Sequence, residues 1–295
     1  MKHIGFFIGV LLCLSSWAIS LNSQTVSVTS DRVPEHTFTK GIEGPAVDKD
    51  GNLYAVNYGK EGTIGIVYPD GSHECFVELP EGSTGNSLRF GKDGFMYVAD
   101  YTGHNILRVN MKTKEISVFA HESKMNQPND ITFSPDGTIY ASDPDWPGNK
   151  GQLWMIRPDG KVSLLETNMG TTNGIAVSPD GKRFYVNESA QLKVWAYDIR
   201  PDGMLTNKRL FHTFEGYGMD GMKCDVKGNL YVCRYDKGTV AMLSPQGTLI
   251  REIPLKGKQP SNLTFGGLDN RCGYVTLQDR GCVETFTAEF PGKEW

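Results

Sequence analysis

The chain has 295 residues, with 30 Lys and Arg against 34 Asp and Glu and a formal net charge of −4, and it carries no block or stripe of basic residues. That excludes a nucleic-acid footprint and a polybasic membrane-binding surface, and leaves a small molecule or a protein as the partner class. Length alone allows one large β domain or two ordinary ones, so internal repetition has to decide.

The chain begins "MKHIGFFIGVLLCLSSWAIS", in which Lys2 and His3 precede an apolar run from Ile4 to Leu14 and small residues stand at Ala18 and Ser20. This pattern predicts a signal peptide over residues 1–20 and an exported product, secreted or periplasmic, spanning 21–295. The apolar run is too short to cross a bilayer, so no membrane span is expected. Cys13 offers a lipoprotein alternative, although Leu12 replaces the small residue such a site wants before its cysteine.

The mature region keeps Cys75, Cys224, Cys233, Cys272 and Cys282, none of them in a CxxC. Neither a zinc site nor a disulfide framework is indicated. Cys224 and Cys233, on adjacent strands of one hairpin, are the first pair to examine for a bridge, and the alternative is that all five are small buried apolar residues. Two sequons occur, at Asn187 and Asn262.

After a short extended stretch, "EHTFTK" (35–40), six similar segments follow, starting at 43, 86, 129, 173, 220 and 262. They read "EGPAVDKDGNLYAV", "NSLRFGKDGFMYVA", "NDITFSPDGTIYAS", "NGIAVSPDGKRFYV", "DGMKCDVKGNLYVC" and "NLTFGGLDNRCGYV". Each has a polar first residue, a short apolar strand, a turn rich in Asp, Gly or Asn, and a tyrosine: Tyr54, Tyr97, Tyr140, Tyr185, Tyr231 or Tyr274. Strand, tight turn, strand is the reading, and two further apolar segments follow in most units. Four antiparallel strands per period make a propeller blade, so the expected fold is all-β: one six-bladed β-propeller domain with four-stranded blades. A β-solenoid has shorter coils and different turns. The sixth unit supplies only three strands, ending in "CVETFTAEF" (282–290), and 35–40 is the candidate to complete it and cover the open edge. The recurring tyrosines are read as packing between blades, since every unit has one.

The first strand of each blade lines the central channel, so the six starting residues form a ring: Glu43, Asn86, Asn129, Asn173, Asp220 and Asn262. Two carboxylates and four amides converging on one axis suit a single hard divalent cation. Oxygen donors in a wide ring favour calcium over zinc, copper or magnesium. An ion at an open channel mouth can also polarise a carbonyl or phosphoryl oxygen, with a nearby carboxylate as base.

The stretches "EGPAVD", "PNDITFSPDG", "NGIAVSPDGKRFYV", "MDGMKCDVKGNLYV" and "SNLTFGGLDNRCGYVT" lie in order over nearly the whole mature chain. In them the chain resembles the SMP-30/gluconolactonase/luciferin-regenerating enzyme family of six-bladed propellers. The resemblance implies that Glu43, Asn173 and Asp220 are direct metal ligands. It implies that Asn129 binds the metal or its water and contacts the substrate, and that Asp220 is also the general base. The reaction implied is hydrolysis of a lactone, and relatives resembling diisopropyl fluorophosphatase act on phosphorus esters at the same ring. One departure is informative: sugar-binding branches often have Arg two residues before the matching Asn, and Gln127 stands there.

Asp130 is a candidate substrate contact beside Asn129, while Asp143 and His104 could assist near the mouth or serve as ordinary turn residues. Trp146 and Tyr217 lie in nonrepeating loops that could stack on a substrate or shield the rim. Three functions compete: an exported calcium-dependent lactonase, a phosphotriesterase-like hydrolase, and a non-catalytic propeller that binds a protein or glycan.

Overall fold

The computed structural model describes Met1 and residues 29–293, so the expected leader lies, Met1 apart, outside the described residues. The described strands form six antiparallel four-stranded sheets arranged as the repeat requires. The first blade comprises β2 (Phe38–Val47), β3 (Leu53–Tyr58), β4 (Thr63–Val67) and β5 (His73–Glu78). The second comprises β6 (Gly85–Phe90), β7 (Phe95–Asp100), β8 (Asn105–Asn110) and β9 (Ile116–His121). The third runs from β10 (Ile131–Phe133) through β11 (Ile139–Asp143) and β12 (Gly151–Ile156) to β13 (Val162–Met169). The fourth holds β14 (Thr172–Val177), β15 (Arg183–Glu188), β16 (Lys193–Ile199) and β17 (Leu205–Thr213). The fifth holds β18 (Met222–Cys224), β19 (Leu230–Arg234), β20 (Thr239–Leu243) and β21 (Leu249–Pro254). The sixth has β22 (Pro260–Gly266), β23 (Cys272–Leu277) and β24 (Cys282–Thr287), completed by β1 (Ser30–Asp31).

The Asp of the repeated turn explains why each hairpin closes so tightly. Asp48 Oδ1 accepts the amides of Asp50 and Asn52, and Asp225 Oδ1 accepts those of Lys227 and Asn229, fixing an Asx turn between the first two strands. The tyrosine that follows is buried in every blade, at 0–8% exposure. Tyr54, Tyr97 and Tyr231 meet Phe90, Phe133 and Phe265 of the next blade edge-on at 5.6, 5.3 and 5.1 Å. Such pairs add about 1 kcal/mol each beyond the area they bury. These tyrosines join neighbouring blades.

Closure by an N-terminal strand holds, but at a different place from the expected one. Only Ser30 and Asp31 pair with β24, opposite Thr285 and Glu284, whereas the expected stretch 35–40 contributes its last residues to β2. Burial explains the shift. Val33 and Phe38, each 3% exposed, sink into the cluster that also holds Leu263, Val283 and Phe286. The segment between them must therefore cross from the sixth blade to the first, guided by bonds from the amides of Arg32, His36 and Phe38 to the carbonyls of Val283, Arg280 and Gly281.

No cysteine is bridged among the described residues. Cys224 stands opposite Leu230 and Cys233 opposite Val240, and the two thiols sit in different core clusters. Asn187 and Asn262 are 0% and 1% exposed, so neither sequon is accessible on the folded chain. No helix among the described residues is long and apolar enough to cross a membrane.

Candidate active site

Glu43, Asn86, Asn173 and Asn262 lie on the inner strands β2, β6, β14 and β22, while Asn129 and Asp220 stand just ahead of β10 and β18. Five of the six, all but Asn262, line one cavity of about 360 Å³, together with Tyr101, Trp146, Ser189, Met219, Tyr235 and Gln278. Asn262 is outside the lining, its side chain next to Glu43 and its Oδ1 accepting the Leu263 amide at 2.9 Å.

Three ring members, Glu43, Asn173 and Asp220, are each followed by glycine. A Cβ on Gly44, whose φ is +54°, would come within 2.6 Å of the Asn86 carbonyl, and one on Gly221 within 2.1 Å of the Asn262 side chain. On Gly174 it would meet the Asp220 carbonyl at 2.1 Å. Glycine lets the inner strands approach closely enough for their first side chains to touch.

They do touch. The carboxyls of Glu43 and Asp220 lie side by side, with the Asn173 side chain next to Asp220. The Glu43 carboxylate also accepts the Gly44 amide at 2.5 Å. Burial, with the negative charge of Asp130 adding to it, pushes the Glu43 carboxyl up to about 8. Burial and the adjacent Glu43 and Asp130 hold the Asp220 carboxyl well above the ordinary carboxylate range. Asn173 is 3% exposed and its Oδ1 has no hydrogen-bond partner. Two carboxyls forced together beside an orphaned amide oxygen fit a hard cation, which would relieve the repulsion and occupy the lone pair. The described residues contain no group of three or more His, Cys, Asp or Glu side chains suited to a metal. The donor set here is two carboxyls supplemented by amides.

Other sequence candidates take different places. Asp130 is 1% exposed and does not line the cavity. Its Oδ1 accepts Ser87 Oγ (2.7 Å), Arg89 Nη2 (2.8 Å) and the Ile131 amide (3.0 Å), and its Oδ2 accepts the Ile175 amide (3.1 Å). Bonded to groups of three blades, it ties the inner strands together behind the cavity wall, and the expected substrate contact is not supported by a place in the lining. Asp143 accepts the amides of Asn126 and Gln127 and the Trp154 indole N–H, so it holds the loop that carries Asn129. His104 contacts the Met125 carbonyl through Nδ1. Gln127 and Tyr217 are not among the cavity's lining residues, and Tyr217 is 54% exposed, whereas Trp146 is part of the wall.

The residues that sequence reasoning missed share one register, four positions beyond the repeat tyrosine, where the six units carry Tyr58, Tyr101, Pro144, Ser189, Tyr235 and Gln278. Tyr101, Ser189, Tyr235 and Gln278 line the cavity, because this register lies where the second strand leaves the sheet at the channel mouth. The same alignment, read four residues further on, contains them.

The family profile described as the SMP-30/gluconolactonase/LRE-like region matches residues 43–279. The chain is 28% identical over 260 residues to a gluconolactonase of Zymomonas mobilis, covering 76% of this chain and 72% of that one. It is 27% identical over 301 residues to the diisopropyl-fluorophosphatase of Loligo vulgaris, covering 89% and 95%. Among solved structures, a calcium-binding protein, regucalcin, from Agrobacterium tumefaciens superposes with a TM-score of 0.77 at 21% identity, covering 90% of this chain and 98% of that one. The profile spans every ring position from Glu43 to Asn262, and the chain belongs to the SMP-30/gluconolactonase/LRE-like family.

Proposed function

We propose that the chain is an exported hydrolase that opens a lactone with the help of one divalent cation, calcium by preference. The observation that carries this reading is the buried contact of Glu43 and Asp220 beside the unpartnered Asn173 Oδ1, at the floor of a cavity large enough for a small molecule. Glu43, Asn173 and Asp220 would hold the ion, with Asn129 at its side. The ion supplies Lewis-acid polarisation of the lactone carbonyl.

The chain's own groups do the rest. Asp220 takes a proton from water as the water oxygen adds to the carbonyl carbon. The Asn129 amide donates to the oxygen on which negative charge develops. The ring C–O bond then breaks, and the leaving oxygen takes the proton held by Asp220, giving a hydroxy acid. Asp130, tied to Arg89, Ser87 and Ile175, keeps Asn129 and Asn173 at a fixed separation throughout. Export rests on the run at residues 1–20.

A second reading, a phosphotriester hydrolase at the same ring, draws on the Loligo vulgaris relative, 95% of whose length aligns. One assay separates the two. Protein stripped with a chelator is reloaded with calcium, magnesium, manganese or zinc and offered lactones and a fluorophosphate in a pH-stat. Lactone turnover that vanishes on stripping and returns with one ion is expected, and turnover of the fluorophosphate alone would replace the lactonase reading by the second.

A further inference from the structure

The upper wall of the cavity is aromatic on two opposite sides. Consecutive blades are neighbours, so the second blade faces the fifth across the channel. Tyr101 of the second stands beside Trp146 of the third, and both line the cavity. Opposite them Tyr235, at the equivalent repeat position in the fifth, donates its phenol proton to Gln278 Oε1 of the sixth at 2.8 Å. Trp146 remains 39% exposed and Tyr101 and Tyr235 are half-buried, so ring surface is left for a ligand.

Apart from the carboxyls of Glu43 and Asp220, the polar groups that line the cavity are neutral. Asn86, Asn129, Ser189 and Gln278 contribute amides and a hydroxyl, and the lining includes no Lys, Arg or His among the described residues. The buried cation Arg89 lies outside the wall and is committed to Asp130 at 2.8 Å. An anionic substituent held against this wall, away from the ion site at the floor, would lose water and meet amides and phenols, with no Lys, Arg or His side chain of the lining to compensate it. A flat uncharged ring loses little on entry and gains a stacking surface on each face.

We infer that the cavity takes an uncharged lactone with a broad apolar ring face, gripped between the Tyr101–Trp146 pair and Tyr235, and rejects lactones bearing a carboxylate, phosphate or sulfonate. This deepens, and rests on, the lactone-hydrolase reading of the ring below.

The test compares a benzo-fused δ-lactone with its carboxylated counterpart on the calcium-loaded protein. The neutral compound is expected to show at least tenfold higher kcat/KM, and equal values for the two would overturn the proposal. Trp146→Ala is expected to raise KM for the neutral compound about tenfold with kcat within about twofold, while Trp146→Phe, which keeps a stacking face, restores most of the loss. Gln278→Arg places a cation in the wall and is expected to narrow the ratio, and an unchanged ratio counts against the charge argument. If neither lactone is hydrolysed, the catalytic reading fails, and calorimetry with the matching lactams decides the clamp independently. Tighter binding of the neutral lactam, lost in Trp146→Ala, supports it, and equal binding of neutral and carboxylated lactams overturns it.

Discussion

The second-strand tyrosines and the inner-strand mouth residues come from the same repeat, yet they are used in opposite ways. Each blade keeps tyrosine at the first position and buries it between blades. At the second position the residue changes from Glu to Asn to Asp around the ring, and five of the six side chains face one cavity. Uniformity marks a job done separately at each blade interface, where every copy meets the same packing problem. Variation at a fixed polar character marks a job done jointly, because six side chains on one axis must divide charge and hydrogen bonding among themselves.

The largest effect expected from this contrast is at Asp220. Asp220→Asn keeps shape but removes both the anionic ligand and the proton acceptor, and lactone hydrolysis should fall roughly 10²- to 10⁴-fold. The metal-free protein's thermal midpoint should hold or rise, since a buried carboxyl beside Glu43 is gone. Tyr231→Ala should do the reverse. Removing a fully buried ring packed on Phe265 should cost about 3–5 kcal/mol in denaturant unfolding, with turnover at low temperature nearly intact. If Asp220→Asn retained full activity, the joint role of the mouth ring would be broken.

Next in size is the pH dependence of the metal-free protein. The Glu43 carboxyl is raised from 4.5 to about 8, mainly by burial, so between these values the folded chain holds a proton that the unfolded chain has lost. Stability from this group is therefore undiminished below about 4.5 and falls as pH rises toward 8. Chelated protein should melt progressively lower across that window, calcium should restore most at its upper end, and Glu43→Gln should flatten the curve. A calcium titration that leaves the midpoint unmoved at pH 8 would separate the ring from the ion.

The same contrast sets what could be read from the chain. Blade number, strand order and the mouth residues were legible because six copies restate the pattern and errors in one are corrected by the others. Asp130 was legible only as a polar residue at a mouth. Its partners Ser87, Arg89 and Ile175 lie on neighbouring blades, and no local pattern links residues more than 40 positions apart. Trp146 sits in a loop outside the repeat, so its place in the wall depends on how that loop folds back over the channel. The seam was misplaced because a two-residue strand has no periodicity to detect, and because the burial of Val33 and Phe38 governs where pairing starts.

That seam supplies the smallest prediction, and it extends the contrast to the place where the repeat is broken. Between β23 and β24 six residue pairs form, whereas β1 offers β24 only two. Charge replaces the missing ladder: Arg280 grips Asp31 through both terminal nitrogens at 2.8 and 2.9 Å and reaches Glu35 through Nε at 2.7 Å, while Lys256 lies 3.3 Å from Asp31. The hydrogen bonds from Arg280 hold the Asp31 carboxyl below its ordinary 3.8, so this contribution is present above that value and is lost as pH falls through the lowered one. The Asp31 side chain is 34% exposed, and solvent screening limits the whole cluster to about 1 kcal/mol. Asp31→Asn should therefore lower the midpoint slightly at neutral pH and low salt, with the difference from the parent chain shrinking at high salt and at acid pH. An equal loss at every salt concentration would mean that backbone pairing and the buried Val33 and Phe38, with no help from charge, hold the ring shut.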